Sequence, residues 1–368
     1  MPFSDADLAF LFDLLATPSP TGFEAPGQRL WVRHVRPHAT RVEADAYGSA
    51  WATLDGTGGA PRVLLEAHAD EIGFAIKHVT DDGFLRVDRI GGSDHAIARA
   101  RRIVFAGAAG PVRGILGNTA IHIRDRDDEK VPKVEELFVD VGASDAAGVA
   151  ALGLRVGQPG VYADAAERIG DRVAGRALDN RMGGFVLARV LERLAGNGGD
   201  GAGLAGAAPL ATTVALNAVQ EEIGHNGAKM AVHAIRPDVA VVLDVTHATD
   251  SPGIDAAKHG SVKLGLGPTV THGTVNHPAV VARLIQVAEA EGIPLQHESS
   301  SRYSGTDTDV IFTSRSGIPA ALVSLPMRYM HSTVETVDLG DVAHTVALLA
   351  AFVRSVRADD TFRTDVLG

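Results

Sequence analysis

The chain has 368 residues, 45% of them hydrophobic and 21% charged, with a net charge of −11 at neutral pH and no cysteine. That length holds one large domain or, as expected here, two; disulfides, thiolate catalysis and cysteine-held metals are excluded, and nucleic acid or an anionic membrane is disfavoured as the main partner. No apolar run approaches the roughly 18 residues of a spanning helix, and the acidic start Ser4-Asp5-Ala6-Asp7 does not resemble a signal peptide, so a cytoplasmic protein is expected.

Leu8, Leu11, Phe12 and Leu15 share one helical face behind Ser4, which predicts an amphipathic first helix capped by that serine. Thr17-Pro18-Ser19-Pro20-Thr21-Gly22 forces a turn, and a second helix is predicted over 23–34. Two strands, 41–46 and 49–54, meet at Tyr47-Gly48, and the apolar strand 62–67 delivers His68 and Asp70 at its carboxyl end. Over 74–172 the texture changes: short β-type runs at 84–87, 102–105, 112–116 and 137–141 are separated by Gly, Pro and Asp turns. This spacing predicts a small β-barrel or sandwich inserted into the main domain, which would then comprise 1–73 and 173–368. Arg99, Arg101 and Arg102 in the insert read as a solvated strand edge.

Helix and strand then alternate. A helix is predicted over 183–194, a flexible Gly/Ala-rich loop over 197–208, a strand over 211–219, a helix near 227–234 and a strand over 239–243. A helix over 278–291, a strand over 295–298, a short helix near 308–314, a strand over 320–324 and a closing helix over 339–357 complete the chain. The fold class is α/β, a mostly parallel sheet flanked by helices.

The chain is organised around Glu221-Glu222, two adjacent carboxylates at the end of the core strand 211–219. Buried side by side they are costly unless something positive lies between or beside them. His68, Asp179, Asp244 and His331 also stand where apolar runs give out, the place where open α/β sheets build their binding sites. Two imidazoles and three carboxylates, with Glu222 as the third, suit two divalent cations of the zinc, cobalt or manganese type. One carboxylate must then bridge, and Asp179 is the candidate. His68 and Asp244 would complete one ion's ligands, Glu222 and His331 the other's. Glu221 is the natural general base for a water whose pKa the metals lower. Asp70, two residues past His68, could accept the imidazole's second N–H and fix its tautomer.

The ordered set His68-x-Asp70, Leu178-Asp179-Asn180-Arg181, Glu221-Glu222-Ile223-Gly224, Asp244-Val245-Thr246-His247 and Arg328-Tyr329-Met330-His331 resembles the M42 metallo-aminopeptidases, the glutamyl and tetrahedral aminopeptidase group. Pro18 to Glu24, Ile90-Gly91-Gly92 and Ser304-Gly305-Thr306-Asp307 match as well, so the similarity spans nearly the whole chain. The resemblance implies a dinuclear metallopeptidase fold and an inserted β domain used in dimer-based assembly, up to a dodecamer. It further implies a cis Asp179–Asn180 peptide and a substrate pocket shaped by Thr306 and Asp307, for which a helix-cap role is the competing reading. The activity implied is removal of N-terminal residues from short peptides by a metal-bridging hydroxide, with Glu221 as base. An N-acyl amino acid deacylase using the same centre and a non-catalytic assembly protein of the same fold are the rivals. The insert lies between His68 and Asp179, which disfavours the M20 and M28 peptidases.

Two departures from the family pattern stand out. His225-Asn226 follows the Glu-Glu-Ile-Gly run where an aliphatic or basic residue is more usual; His225 reads first as a partly exposed loop histidine, with contact to the pocket as the alternative, and His95 and His247 read in the same way. Residues 142–157 lack the usual acidic helix pattern. An acidic substrate residue would need a cationic pocket, for which Arg302 and Arg328 are the candidates, with surface charge the equal alternative for both.

Overall fold

A computed structural model describes residues 2–124, 130–196 and 208–367. The Gly/Ala-rich loop expected over 197–208 lies outside the described residues apart from Ala208. The chain opens with helices α1 (Asp5–Ala16) and α2 (Ala25–Val35) and strands β1 (Arg41–Ala44), β2 (Ala50–Leu54) and β3 (Ala60–His68). Ser4 caps α1 as expected, in a reciprocal box with Asp7. An insert follows, of β4 (Gly73–Val79), β5 (Phe84–Ile90), β6 (Arg102–Gly107), β7 (Gly110–Leu116), β8 (Phe138–Asp140), α3 (Ala146–Ala151) and β9 (Pro159–Tyr162). The main domain resumes with β10 (Glu167–Ile169), β11 (Arg172–Gly175), α4 (Leu178–Leu194), β12 (Ala211–Ala218), α5 (Asn226–Ile235) and β13 (Val239–His247). It continues through α6 (Ala256–His259), β14 (Thr269–Gly273), α7 (Pro278–Glu291), β15 (Gln296–Ser300), α8 (Thr308–Ile311), β16 (Ala320–Met327), β17 (Glu335–Asp338) and α9 (Leu339–Ser355).

The main sheet has eight strands in the order β1-β2-β12-β3-β13-β16-β14-β15. Its centre is parallel, β12 with β3, β3 with β13 and β13 with β16, and these strands are almost continuous runs of Val, Leu and Ala because helices cover both faces. One face packs on α1, α2, α4, α7 and α9, the other on α5 and α8. Six strands escape the sequence reading: β10, β11 and β17, which form a small antiparallel sheet of their own, β14, and β4 and β9 of the insert. The first three are only three or four residues long, too short for alternation to register. The 142–157 stretch, without an acidic pattern, nevertheless forms the short helix α3 behind an Asp145 cap.

The insert closes into a six-stranded antiparallel barrel, β4-β5-β8-β7-β6-β9. Period-two alternation sends Phe74, Ile76, Leu85, Val87, Ile103, Phe105, Leu116 and Val139 inward to a separate apolar core. Arg101 faces Asp164 at 3.6 Å and Arg99 donates to the Lys130 carbonyl, while Arg102 is exposed.

Candidate metal centre

Three parallel strands deliver the acidic groups to one end of the sheet. His68 closes β3, Glu221 and Glu222 follow β12, and Asp244 lies on β13, which runs on to His247 instead of stopping at 243. His331 comes from the loop after β16. Asp179 arrives differently: Ala177 turns the chain in a left-handed conformation (φ 60°), Asp179 and Asn180 depart from helical geometry at the head of α4, and the peptide between them is cis. Asn180 is anchored there, donating from its amide to the Leu243 carbonyl at 2.7 Å and accepting from the Gly183 N–H.

The five expected metal ligands converge in two overlapping groups, His68 with Asp179 and Asp244, and Asp179 with Glu222 and His331. Asp179 belongs to both. Its Oδ1 lies 3.0 Å from His68 Nε2, and its Oδ2 lies 3.2 Å from His331 Nε2. Asp244 Oδ1 stands 3.7 Å from His68 Nε2, and Glu222 Oε1 stands 3.5 Å from His331 Nε2. Glu221 Oε2 is 4.0 Å from His68 Nε2.

The electrostatics follow from crowding. Burial pushes Asp244 well above the usual carboxylate range, and burial pushes Glu222 up to about 7 with Asp179 adding repulsion. Burial acts the same way on Glu221, partly offset by His225. Asp179 goes the other way: burial is outweighed by His331 and His68, which hold it below the ordinary range. Asp179 and Glu222 in turn raise His331 to about 11. Burial would lower His68, but Asp179 and Asp70 reverse that. Among the described residues, every ion-pair partner of Asp179, Glu222 and Asp244 is a histidine, and Glu222 Oε1 is buried with no hydrogen bond. Oxygen and imidazole donors this dense, without a lysine or arginine among the described residues to neutralise them, fit divalent cations.

Asp70 does more than the sequence suggests. It stands 3.5 Å from His68 Nδ1, accepts from the Thr21 hydroxyl, and receives the backbone N–H groups of Glu221 and Glu222 at 3.0 and 3.2 Å. One carboxylate therefore ties the Pro18–Gly22 turn, the β3 histidine and the Glu-Glu pair together. Several supporting groups escape the sequence reading. Glu335 receives the N–H of Asp179 and of His331, Glu71 pairs with Arg176 and faces Arg181 at 3.7 Å, and Glu66 lies wholly buried on β3. A glutamate inside Leu64-Leu65-Glu66-Ala67 was a visible signal; nothing local marks Glu335.

His225 departs from the exposed-loop reading. Its Nδ1 lies 2.9 Å from Glu221 Oε1 and 3.3 Å from Asp307 Oδ1, a third cluster beside the other two. Asp307 is almost fully buried and makes no side-chain cap on α8, whereas Thr306 accepts the Thr308 N–H. His247 is exposed and His95 half-buried, and neither belongs to a group of potential ligands among the described residues. Arg328 is committed to Asp250 through two hydrogen bonds, so it is not a free cation for a substrate pocket, and Arg302 is exposed.

The family model described as M42 glutamyl aminopeptidase matches residues 48–348. A lysyl aminopeptidase of Pyrococcus furiosus is 32% identical over 358 residues, 96% of this chain and 99% of that one. The structure of aminopeptidase APDkam598 from Desulfurococcus kamchatkensis superposes with a TM-score of 0.90 at 32% identity, covering 99% of each chain. The TET1 peptidase of Pyrococcus horikoshii, described as assembling into a tetrahedron or a large octahedral shell, gives 0.82 at 26% identity, covering 95% of this chain and 99% of that one.

Proposed function

This chain belongs to the M42 glutamyl aminopeptidase family, and on that premise we propose that it removes N-terminal residues from short peptides at a centre of two divalent cations. The observation that carries the reading is Asp179, whose two oxygens face two different histidines from within two overlapping ligand groups. His68, Asp179 and Asp244 would hold one cation, and Asp179, Glu222 and His331 the other. When bound, zinc, cobalt or manganese would supply polarisation of the scissile carbonyl and a lowered pKa for the attacking water.

The remaining work belongs to the protein. Glu221 Oε2, on the His68 side, accepts the proton of the attacking water and delivers it to the leaving amine nitrogen. Asp70 fixes where that base stands by holding the backbone of Glu221 and Glu222, and it orients His68 at Nδ1. Glu335 holds the backbone at Asp179 and His331 in the same way. Thr306 and Asp307 border the substrate side of the base. The inserted barrel, 74–172 in the sequence reading, mediates self-association into a homo-oligomer built on dimers, up to a dodecamer. The shell-forming TET1 peptidase supports the self-association, and the assignment of the contact to the barrel rests on the family resemblance.

Protein stripped with chelator and reloaded separately with zinc, cobalt or manganese tests the proposal on a panel of free-amine and N-acetylated dipeptides. Metal-dependent cleavage confined to free-amine substrates is expected. Cleavage of acetylated substrates alone would replace the reading with a deacylase; no turnover with two metals bound per chain would replace it with an assembly protein. Within the mechanism, Glu221→Gln should retain both metals and lose turnover by about 10²–10⁴-fold.

A further inference from the structure

Glu221 stands in a loop bent by two non-glycine residues in the left-handed region, Gln220 (φ 59°) and His225 (φ 60°). The N–H groups of Gly224 and His225 donate to the Glu221 carbonyl at 2.9 and 3.0 Å, and that of Gly227 donates to Val219 at 2.9 Å. This closed turn returns His225 to the Glu221 side chain, with Nδ1 2.9 Å from Oε1. The other neighbour of Nδ1 is Asp307 Oδ1, at 3.3 Å. Both neighbours are carboxyl oxygens, so Nδ1 is the ring nitrogen placed to face them, at ion-pair distance and without hydrogen-bond alignment. The two oxygens of Glu221 are thereby divided: Oε1 faces the imidazole at 2.9 Å, while Oε2 faces His68 Nε2 across the metal-ligand region.

Asp307 is placed to keep the imidazole there. It is 1% exposed, and neither carboxylate oxygen has a hydrogen bond of its own. Wholly buried Glu66 lies beside it, close enough for the two carboxyl groups to interact directly. A buried carboxylate that gives up capping α8 and lies 3.3 Å from a histidine ring nitrogen is an orienting group.

We propose that His225, backed by Asp307, is a positioning residue for the peptidase reaction: it grips Glu221 by Oε1 so that Oε2 alone is presented for proton transfer. The proposal rests on the reading of Glu221 as the base. An unheld carboxylate turns through a broad, shallow torsional well, and misalignment of a transferring group by an ångström carries about a 10²-fold penalty.

The metal-loaded enzyme tests this with His225→Ala, His225→Asn and Asp307→Asn. Asparagine places an amide N–H where Nδ1 stood and tolerates the left-handed backbone of this position. His225→Ala should lower kcat by about 10–100-fold with KM and metal content unchanged, and His225→Asn should recover most of the loss. Asp307→Asn should give a smaller fall in kcat, again at constant KM. In a Glu221→Gln background, His225→Ala should add nothing, because the two act as one unit. Multiplicative losses in the double variant, a loss confined to KM, or a metal ion lost with His225→Ala would each overturn the assignment. If His225→Ala is silent while Glu221→Gln is inactive, this proposal fails alone; full turnover by Glu221→Gln removes the reading beneath it.

Discussion

The barrel and the metal centre obey opposite rules. In the barrel, inward positions are apolar, charges such as Lys77 and Asp88 pair outside at 3.0 Å, and Ala100 is the one non-glycine residue with positive φ among those described over 73–162. At the centre, Glu66, His68, Asp70, Asp179, Glu221, Asp244 and Glu335 are all buried, and Ala177, Gln220, His225, Tyr329 and His331 take left-handed backbone conformations. Local preference and final structure agree in the first region and conflict in the second. Buried charge and unfavourable backbone persist where surrounding contacts over-determine them, and such places concentrate at functional sites.

The comparison can be broken at either end. Asp179→Ala removes the carboxylate shared by both ligand groups, so it should abolish two-metal occupancy and lower activity by more than about 10³-fold, measured by metal analysis alongside turnover. Phe105→Ala, in the barrel core, should cost about 3–5 kcal/mol in denaturant unfolding while the folded protein keeps both metals. Loss of metal affinity at native concentrations of denaturant-free buffer would mean that the two regions are not separable.

Gly92 sharpens the boundary, because it lies in the loop after β5 by which the insert reaches the centre. A Cβ there would stand 2.5 Å from His331 Nδ1. Gly92→Ala should therefore weaken metal binding about tenfold by titration while changing stability by less than about 0.5 kcal/mol. The smallest effect is expected outside both regions, at Asp360. Hydrogen bonds from Arg283 at 2.8 and 2.9 Å hold its carboxyl below the usual range. The sign follows: its contribution is present above the unfolded value near 3.9 and is lost as pH falls through the lower folded one. Asp360→Asn should destabilise by under about 1 kcal/mol at pH 7, a difference that shrinks below about pH 4 in thermal melts.

The same contrast decides what could be read from the chain. Barrel strands β5, β6, β7 and β8 were legible because alternation is a local signal, and the central parallel strands because their apolar runs end at His68, Glu221 and Asp244. The candidate ligands were legible as an ordered set of motifs, none of which is informative alone. What escaped is defined only by distant partners. Glu71 matters because Arg176 and Arg181 meet it, and Glu335 because it holds two backbone groups separated by over a hundred residues. His225 looked like a loop histidine because sequence carries no trace of Asp307 beside it. Arg328 looked free for the same reason, until Asp250 is seen across from it.

The outgoing and returning strands of the barrel are hydrogen-bonded neighbours, with Phe74 opposite Gly160. In terms of chain connectivity the barrel is a bead on a closed loop, and a few residues could bridge its base without disturbing the order of the main sheet. Such an excision would be topologically silent, yet His331 would lose the Gly92 carbonyl that lies 3.2 Å from its Nδ1. A module that looks detachable in the diagram of the fold is thus stitched to the chemistry by one glycine loop, and a grafted replacement would have to bring that loop with it.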